Sequence, residues 1–271
     1  MLSFPAAKIN LGLRILRRRD DGYHELETAF YPVPLKDALE ILRNSDKTTF
    51  TGYGLPIPGD PDANLCLKAW QMLRNDFPTL PAVQFHLYKN IPVGAGLGGG
   101  SSDGATTLLG LNRQFQLGLT ESQLIEYASR LGSDCPFFVL NTACLGTGRG
   151  DVLEPLKLDL TGYTLVLADP GIHVGTAEAF SLCTPGQNSI PLKVVLSQPV
   201  AAWRGQLVND FEEPIFRLHP RLRVVKETLY ANGALYASLT GSGSAFFGIF
   251  AKDRAPSVNP FRERMNYRIL P

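Results

Sequence analysis

The 271-residue chain lacks the features that mark membrane proteins, disulfide scaffolds and nucleic-acid binders. No apolar run approaches the roughly 20 residues of a membrane span, and the first arginines follow the first apolar residues, the reverse of a secretory signal. The four cysteines include no CxxC pair, which argues against a zinc site and a disulfide framework. The formal net charge of +1 gives no general attraction to polyanions. We therefore expect a cytoplasmic protein without a nucleic-acid, membrane or obligate protein partner.

The length and composition are those of a chain that folds throughout. Hydrophobic residues make up 44% and charged residues 19%, which is ordinary for a folded protein. A chain of this length forms one large domain or two smaller ones. We expect two lobes, with the second beginning near the apolar run YTLVLA at 163–168.

Alternating residues predict the first strand. Between residues 6 and 15 the apolar side chains fall on one face, and Lys8, Asn10, Gly12 and Arg14 fall on the other. The pattern therefore predicts a strand with a polar face that carries Lys8 beside Asn10.

Other segments give helix and strand signals of their own. Residues 82–88 alternate as a strand, and residues 63–73 have a helical pattern. Thr120 and Gln123 form a capping box for a helix that stops at Gly132. Further predictions are a helix capped by Thr176, a helix over residues 216–229, and two strands flanking a glycine turn in LYASLTGSGSAFFGIF.

The stretch IPVGAGLGGGSSDGATTLLGLNRQF is the most unusual part of the chain, with seven glycines between positions 94 and 110. It predicts a strand, a glycine loop and a helix in that order. Backbone amides without bulky side chains, next to a helix N-terminus, can approach a phosphate from several directions. We therefore interpret residues 94–102 as a phosphate-binding loop rather than a flexible surface loop.

Other nucleotide-binding motifs fit this stretch poorly. Gly94, Gly96 and Gly99 satisfy GxGxxG, but the acidic residue expected about 20 positions later falls on Glu121, inside a helix cap. No GxxxxGK[ST] occurs, and neither HRD nor DFG occurs. A P-loop and a protein-kinase site are therefore excluded, and a dinucleotide site is only a weak alternative.

Five segments carry a family resemblance, and they occur in the order PAAKINLGL, DDGYHELET, PVGAGLGGGSSDGA, GSDCPFF and LTGSGSAFFG. The central segment is similar to the PxxxGLGGGSS loop of the GHMP kinases, which include galactokinase, homoserine kinase, mevalonate kinase and phosphomevalonate kinase. Together the five resemble the branch whose acceptor is a cytidyl-diphosphate derivative of methylerythritol. They cover most of the chain outside residues 40–60 and 185–205.

The resemblance implies both a fold and a reaction. The fold is α+β and two-lobed, with an N-terminal ATP-binding lobe at 1–155, a ferredoxin-like C-terminal lobe at 156–271, and the active site in the cleft. The reaction uses ATP as co-substrate, with Mg²⁺, and transfers the γ-phosphoryl group to the 2-hydroxyl of the methylerythritol moiety. It belongs to the non-mevalonate route to isoprenoid precursors.

Two residues match the catalytic positions of the family. Asp134, in GSDCPFF, falls on the carboxylate proposed as general base, and Lys8, in PAAKINL, falls on the lysine that accompanies it. A lysine near the carboxylate would keep it ionised and stabilise charge on the transferred group. From the residues alone, we would favour a helix cap before Pro136 for Asp134, a role that Ser133 could also serve, and a solvated strand position for Lys8. The resemblance favours catalytic roles for both.

The remaining site residues are expectations from family position. The acceptor is expected to contact Asn10, and its cytosine is expected to lie between Tyr23 and Phe180 with His24 reading the base edge. Thr176, Gly241 and Ser242 are weaker candidates around the diphosphate. Asn64 and Lys89 are expected adenine contacts. Ser101 and Ser102 either donate to phosphate, ligate Mg²⁺ or cap the helix. The phosphates are expected to contact Pro92, Val93, Gly94, Ala95, Gly96, Leu97, Gly98, Gly99, Gly100, Ser101 and Ser102.

Three alternatives remain open at this point. Another GHMP kinase, of the homoserine or mevalonate type, would share the glycine loop but not GYHEL. An NAD-binding oxidoreductase would use the GxGxxG match. A non-catalytic sensor on the same fold would not need Lys8 or Asp134 for binding.

Overall fold

The structure, a computed structural model, describes residues 1–186, 190–252, 254–256, 259–261 and 266–270. The chain forms two compact units, and each is built from several segments. Unit 1 consists of Met1–Lys8, Leu35–Val93 and Gly98–Thr142. Unit 2 consists of Ile9–Pro34, Gly94–Leu97 and the described part of Ala143–Pro271. The lobe boundary expected after residue 155 stays a prediction.

The described residues contain both strands and helices. The strands are β1 (Leu2–Ser3), β2 (Ala6–Arg18), β3 (His24–Lys36), β4 (Ala38–Arg43), β5 (Thr49–Gly54), β6 (Val83–Lys89), β7 (Cys144–Thr147), β8 (Val152–Pro155), β9 (Tyr163–Asp169), β10 (Tyr236–Leu239), β11 (Phe246–Ala251) and β12 (Asn266–Leu270). The α-helices are α1 (Leu65–Asp76), α2 (Gly99–Phe115), α3 (Glu121–Leu131), α4 (Cys135–Leu140), α5 (Thr176–Ser181), α6 (Leu192–Leu196), α7 (Glu212–Leu218) and α8 (Pro220–Ala231). Short 3-10 helices span Pro61–Ala63 and Val200–Ala202.

Unit 1 packs helices against a four-stranded sheet of order β1-β4-β6-β5, in which only β5 and β6 run parallel. Along β6, Val83, Phe85 and Leu87 are buried, and the residues between them are more exposed. Because side chains alternate between the two faces of a strand, Lys89 falls on this buried face as well. Its side chain therefore enters the core of unit 1, where it is 3% exposed.

Unit 2 contains a sheet of order β10-β11-β9-β12 and most of a second sheet, β2-β3-β7-β8. The first is antiparallel throughout, and Tyr236 pairs with Ile249 across the predicted glycine turn. Its apolar side chains pack against those of α7 and α8 in one buried cluster that includes Phe246, Phe250, Phe216 and Leu229. The strands predicted on both sides of the turn are confirmed.

Local patterns predicted several elements correctly and missed others and some ends. Thr120 and Gln123 form the predicted capping box, and Gly132 is the C-cap of α3. Two predictions were wrong in detail. The helix expected over residues 63–73 is α1, Leu65–Asp76. The helix expected over residues 216–229 is divided into α7 and α8, because Pro220 disfavours a helical conformation at the residue before it.

No helix among the described residues combines the length and apolar character needed to cross a membrane.

Candidate active site

Lys8 and Asp134 form an ion pair within unit 1, where the Lys8 Nζ and Asp134 Oδ2 atoms are 3.2 Å apart. The Lys8 side chain is 4% exposed and that of Asp134 is 34% exposed. Burial on both faces of β2 therefore removes the alternative in which Lys8 is a solvated strand residue. Opposite charges at this distance attract each other. The arrangement leaves a partly exposed carboxylate able to meet a ligand.

Asp134 occupies the N-cap position of α4, yet its side chain makes no capping hydrogen bond. Its carboxylate is directed to Lys8 instead. The next residue, Cys135, is buried, and burial raises the pKa of its thiol to about 12. The thiol is therefore neutral near pH 7, which leaves Asp134 as the ionisable group at this helix end.

The glycine loop leads into α2 with a backbone that only glycine adopts readily. Gly98, the N-cap of α2, has φ of 71° and makes no side-chain cap bond. A Cβ atom on Gly98 would lie 2.7 Å from Phe138 Cζ and 3.1 Å from Lys8 Cε. Gly100 has nothing within 4 Å of its Cβ position. The loop therefore packs closely against Lys8 at Gly98 and is open at Gly100.

Ser101 and Ser102 are not the helix cap, so that alternative was wrong. They lie in the first turn of α2, after Gly98 as the cap. The first backbone N–H groups of a helix have no partner within the helix, and here no side chain caps them. Ser102 N–H donates to Gly98 O at 2.9 Å. Amides at the start of α2 are thus available to an anion.

Residues 94–97 belong to unit 2, where the second glycine turn supports them. Thr240 Oγ1 donates to Gly96 O at 3.2 Å, and Ala245 N donates to Ala95 O at 3.1 Å. A Cβ atom on Gly96 would lie only 2.0 Å from Thr240 O, so no side chain fits there. Ala95 and Leu97 are buried, and they can offer a phosphate only their backbone.

Three candidate residues of unit 2 lie around this second turn. Gly241 has φ of 56°, and its ideal Cβ position is 3.2 Å from Gly96 O. The hydroxyl groups of Thr176 and Ser242 are 3.2 Å apart. Thr176 is the first residue of α5 and Gly175 is its cap, so the expected capping role of Thr176 was wrong. These hydroxyls are exposed and can hydrogen-bond a polar ligand.

A pocket of about 550 Å³ within unit 1 is lined by both residues expected to contact adenine, Asn64 and Lys89. Gly100, Leu55 and Ile57 also line it. Asn64 caps α1, with its Oδ1 accepting from Cys66 N at 2.8 Å. The Lys89 ammonium is bonded to two carboxylates, those of Asp37 and Asp103. A base in this pocket would therefore meet the stem or backbone of Lys89.

Asn10 is buried in unit 2, and hydrogen bonds hold both ends of its side-chain amide. Its Nδ2 donates to Thr28 Oγ1 at 3.0 Å, and its Oδ1 accepts from Thr240 Oγ1 at 3.4 Å. Its backbone N also donates to Thr240 Oγ1, at 3.2 Å. Asn10 thereby links β2 to the second glycine turn. A contact between Asn10 and the acceptor stays a prediction.

The structure brings together two of the three residues expected to bind cytosine. The rings of His24 and Phe180 stack with centroids 4.8 Å apart and an angle of 15° between planes. Tyr23 is 55% exposed, and the Arg149 guanidinium lies 5.0 Å from its ring centroid. A base between Tyr23 and Phe180 therefore requires His24 to leave the face of Phe180 or to share it. The expected sandwich stays a prediction.

Sequence reasoning missed several residues that shape these sites. Thr28 and Thr240 orient Asn10, and Arg149 covers Tyr23. Asp103 stands inside the quoted segment GGGSSDGA but was given no role. Asp37 had no sequence signal, because its partner Lys89 is 52 residues away.

Two family models match the chain, "GHMP kinases N terminal domain" over residues 64–142 and "GHMP kinases C terminal" over residues 199–259. The chain belongs to the GHMP kinase family, and it is an ATP-dependent kinase. The predicted fold class is thereby confirmed, and the oxidoreductase alternative is removed.

The curated relatives include 4-diphosphocytidyl-2-C-methyl-D-erythritol kinase of Bacteroides fragilis. It is 47% identical over 256 residues, which cover 93% of each chain. The relative of the same name in Cytophaga hutchinsonii is 47% identical and covers 92% of each chain. A crystal structure of 4-(cytidine 5'-diphospho)-2C-methyl-D-erythritol kinase matches with a TM-score of 0.78 and 35% identity, over 92% of this chain and 90% of that one.

A crystal structure of mevalonate kinase has a TM-score of 0.73 but only 13% identity, over 99% of this chain and 98% of that one. That likeness shows the shared fold alone.

Proposed function

We propose that this kinase transfers the γ-phosphoryl group of ATP to the 2-hydroxyl of 4-diphosphocytidyl-2-C-methyl-D-erythritol, giving the 2-phosphate and ADP. The reaction belongs to the non-mevalonate route to isoprenoid precursors. One observation carries the proposal: relatives of that name are 47% identical over 93% of both chains. The Lys8–Asp134 pair supplies the chemistry that the reaction needs.

Asp134 is proposed to accept the proton of the attacking hydroxyl. Its carboxylate is partly exposed and lies 3.2 Å from the Lys8 ammonium. The same ammonium can stabilise negative charge on the transferred group. A phosphoryl transfer with a loose transition state depends mainly on positioning and charge, and this pair can provide both.

The nucleotide is proposed to bind through two features of unit 1. The start of α2 offers uncapped amides to the phosphates. The pocket lined by Asn64 and Lys89 has the volume of a small-ligand site. Gly100 is at once in the first turn of α2 and in the wall of this pocket. A nucleotide can therefore place its base in the pocket and its phosphates at α2.

Mg²⁺ is proposed to enter with the nucleotide, where it would neutralise charge on the phosphates. Magnesium bound to a nucleotide usually takes only one or two protein ligands, and phosphates and waters supply the rest. Among the residues that the structure describes, no three His, Cys, Asp or Glu side chains are grouped to hold a metal. Ser101, in the first turn of α2, is proposed to offer its hydroxyl oxygen to such an ion, whereas Ser102 is buried.

The cytidyl end of the acceptor is proposed to bind in unit 2 at Tyr23, His24 and Phe180. Stacked aromatic rings and a histidine able to donate or accept a hydrogen bond suit a pyrimidine base.

A cytoplasmic location is proposed as well. Its support is that the four cysteines are all free thiols, as is usual in a reducing compartment.

Phosphorus NMR of the reaction mixture tests the function directly. Protein incubated with Mg-ATP and the cytidyl-diphosphate acceptor should give ADP and a new phosphomonoester signal. Homoserine, mevalonate and methylerythritol without a nucleotide serve as matched alternative acceptors, and Asp134→Asn serves as the inactive control. ADP formation at the same rate without any acceptor, or equal use of mevalonate or homoserine, would rule the proposal out.

A further inference from the structure

Three charged side chains are buried together in the core of unit 1, outside the catalytic pair. Lys89 Nζ lies 2.5 Å from Asp37 Oδ2 and 2.7 Å from Asp103 Oδ2. All three side chains are at most 5% exposed. Burying charges is costly unless they are paired. A cluster of this kind therefore calls for a function beyond general stability.

The cluster connects the residues just before the phosphate-binding loop with α2, the helix that follows the loop. Asp37 Oδ1 accepts hydrogen bonds from the backbone N–H groups of Asn90 at 2.6 Å and Ile91 at 2.8 Å, where β6 leads into the loop. Asp103 lies in the second turn of α2, beyond the loop. Lys89 connects these two carboxylates. One buried ammonium thus ties the entry of the loop to the helix at its exit.

The approach of α2 to Lys89 depends on a glycine of the loop. A Cβ atom on Gly99 would lie 2.9 Å from Lys89 Nζ and 2.9 Å from Ile91 Cγ2. Gly99, Asp103 and Thr107 are buried and spaced four residues apart, so they form one stripe of α2. This stripe faces the cluster, which fixes the rotation of α2 and hence the direction of its first amides.

The cluster also reaches the proposed nucleotide pocket, because Lys89 and Asp103 both line it. Asp103 Oδ1 is buried and has no hydrogen-bond partner among the residues that the structure describes. Burial raises the pKa of the Asp103 carboxyl to about 7, and the nearby Asp37 carboxylate adds to the effect. Protonation of one carboxyl would leave Lys89 and its other partner as a neutral pair.

We infer that Asp37, Lys89 and Asp103 form an ionic clamp that holds the phosphate-binding loop in register with α2, and that Asp103 is a positioning residue for the nucleotide. The inference rests on the proposed role of the loop in binding ATP. It does not depend on the identity of the acceptor.

Substitutions at Asp103 test the clamp through nucleotide binding. Asp103→Leu fills a similar volume and leaves Lys89 and Asp37 as a neutral pair, so the fold should persist. It should weaken Mg-ATP binding, measured by calorimetry without acceptor, by about tenfold, equivalent to about 1.4 kcal/mol. Asp103→Asn can accept from Lys89 and donate to Asp37, and it should recover most of the affinity. KM for the acceptor should change by less than about twofold, because uniform loss of nucleotide binding leaves the other site intact.

Thr107→Ala is the matched control, since Thr107 lies on the same buried stripe and its hydroxyl donates to the backbone Asp103 O at 2.8 Å rather than to the charged cluster. It should lower the melting temperature without changing ATP affinity. A folded Asp103→Leu protein with native ATP affinity would overturn the clamp. So would a Thr107→Ala protein that loses as much ATP affinity as Asp103→Leu, or an Asp103→Asn protein that binds ATP no better than Asp103→Leu. A wild-type protein that binds ATP but does not phosphorylate the acceptor would sink the proposed function and leave the clamp standing.

Discussion

Replacement of Asp134 by Asn should abolish most turnover while leaving the fold and ATP binding intact. Asp134 makes no capping hydrogen bond in α4, so the substitution removes no helix cap. The amide oxygen of Asn can still accept from Lys8, which keeps the local geometry. What is lost is the negative charge and the ability to accept a proton.

Two magnitudes separate the effect on rate from the effect on stability. At 3.2 Å and an effective dielectric constant of about 20, unit charges attract by about 5 kcal/mol before desolvation is counted. Because the Asp134 side chain is 34% exposed, the net loss of stability should fall between the roughly 0.5 kcal/mol of exposed pairs and the roughly 3 kcal/mol of buried ones. Loss of a general base lowers the rate by about 10² to 10⁴, or about 3 to 5 kcal/mol in activation free energy.

The assay is a double-substitution cycle with Lys8→Met, read by ADP release in the presence of acceptor and by thermal unfolding. If the two side chains act as one unit, the double variant should be about as slow as the slower single variant. A decrease in kcat of less than tenfold in Asp134→Asn would refute the base role. Additive losses in the double variant would show that Lys8 acts independently of the carboxylate.

Three further predictions follow from the site. Gly100→Ala should keep or raise stability, because its Cβ position is open and Ala is the better helix former, yet it should raise KM for ATP. Gly98→Ala should instead destabilise the fold, because its φ is positive and its Cβ atom would lie 2.7 Å from Phe138 Cζ. A Gly100→Ala enzyme with native KM would contradict a phosphate site there. Tyr23→Ala should weaken acceptor binding by about 1 to 3 kcal/mol without changing ATP affinity, and the reverse pattern in calorimetry would count against a cytidine site. Since the pKa of Asp103 is raised from 3.8 to about 7, its protonated form stabilises the fold below about pH 4, and this contribution is lost as the pH rises to about 7. The unfolding free energy in urea, relative to Asp103→Asn, should fall across that range, and a constant difference would contradict the shift.

Patterns of period two and 3.6 predicted the elements that carry the site, but not their surroundings. Alternation predicted the strand of Lys8 and Asn10 with one polar face, whereas all of Ala6–Ile15 is buried. Whether the second face of a strand meets water depends on what packs against it, and alternation holds no such information. The capping box at Thr120 was readable because all of its bonds lie within four residues.

The features that were missed depend on contacts between distant parts of the chain. Asp37 contacts Lys89 across 52 residues, and Asn10 contacts Thr240 across 230. The division of the helix before Pro220 did have a local signal, since a proline disfavours the helical conformation of its predecessor. The cap of α5 is Gly175, whereas preference alone favoured Thr176.

The interleaving of the two units constrains how the chain can be cut and how it is made. All segments of unit 1 lie within the first 142 residues, whereas unit 2 needs Ile9–Pro34 together with residues after Ala143. The backbone of Leu13 forms hydrogen bonds with the backbones of Val208 and Asp210, so this part of β2 is synthesised nearly 200 residues before its partners. During translation β2 can pair with β3, but the hydrogen bonds of Leu13 to residues 208 and 210 cannot form until those residues are synthesised, so this part of the strand is exposed to mispairing or to chaperones. No single cut separates the two units, because a fragment ending at residue 155 would carry a complete unit 1 together with the sheet β2-β3-β7-β8, but without the sheet β10-β11-β9-β12 of unit 2.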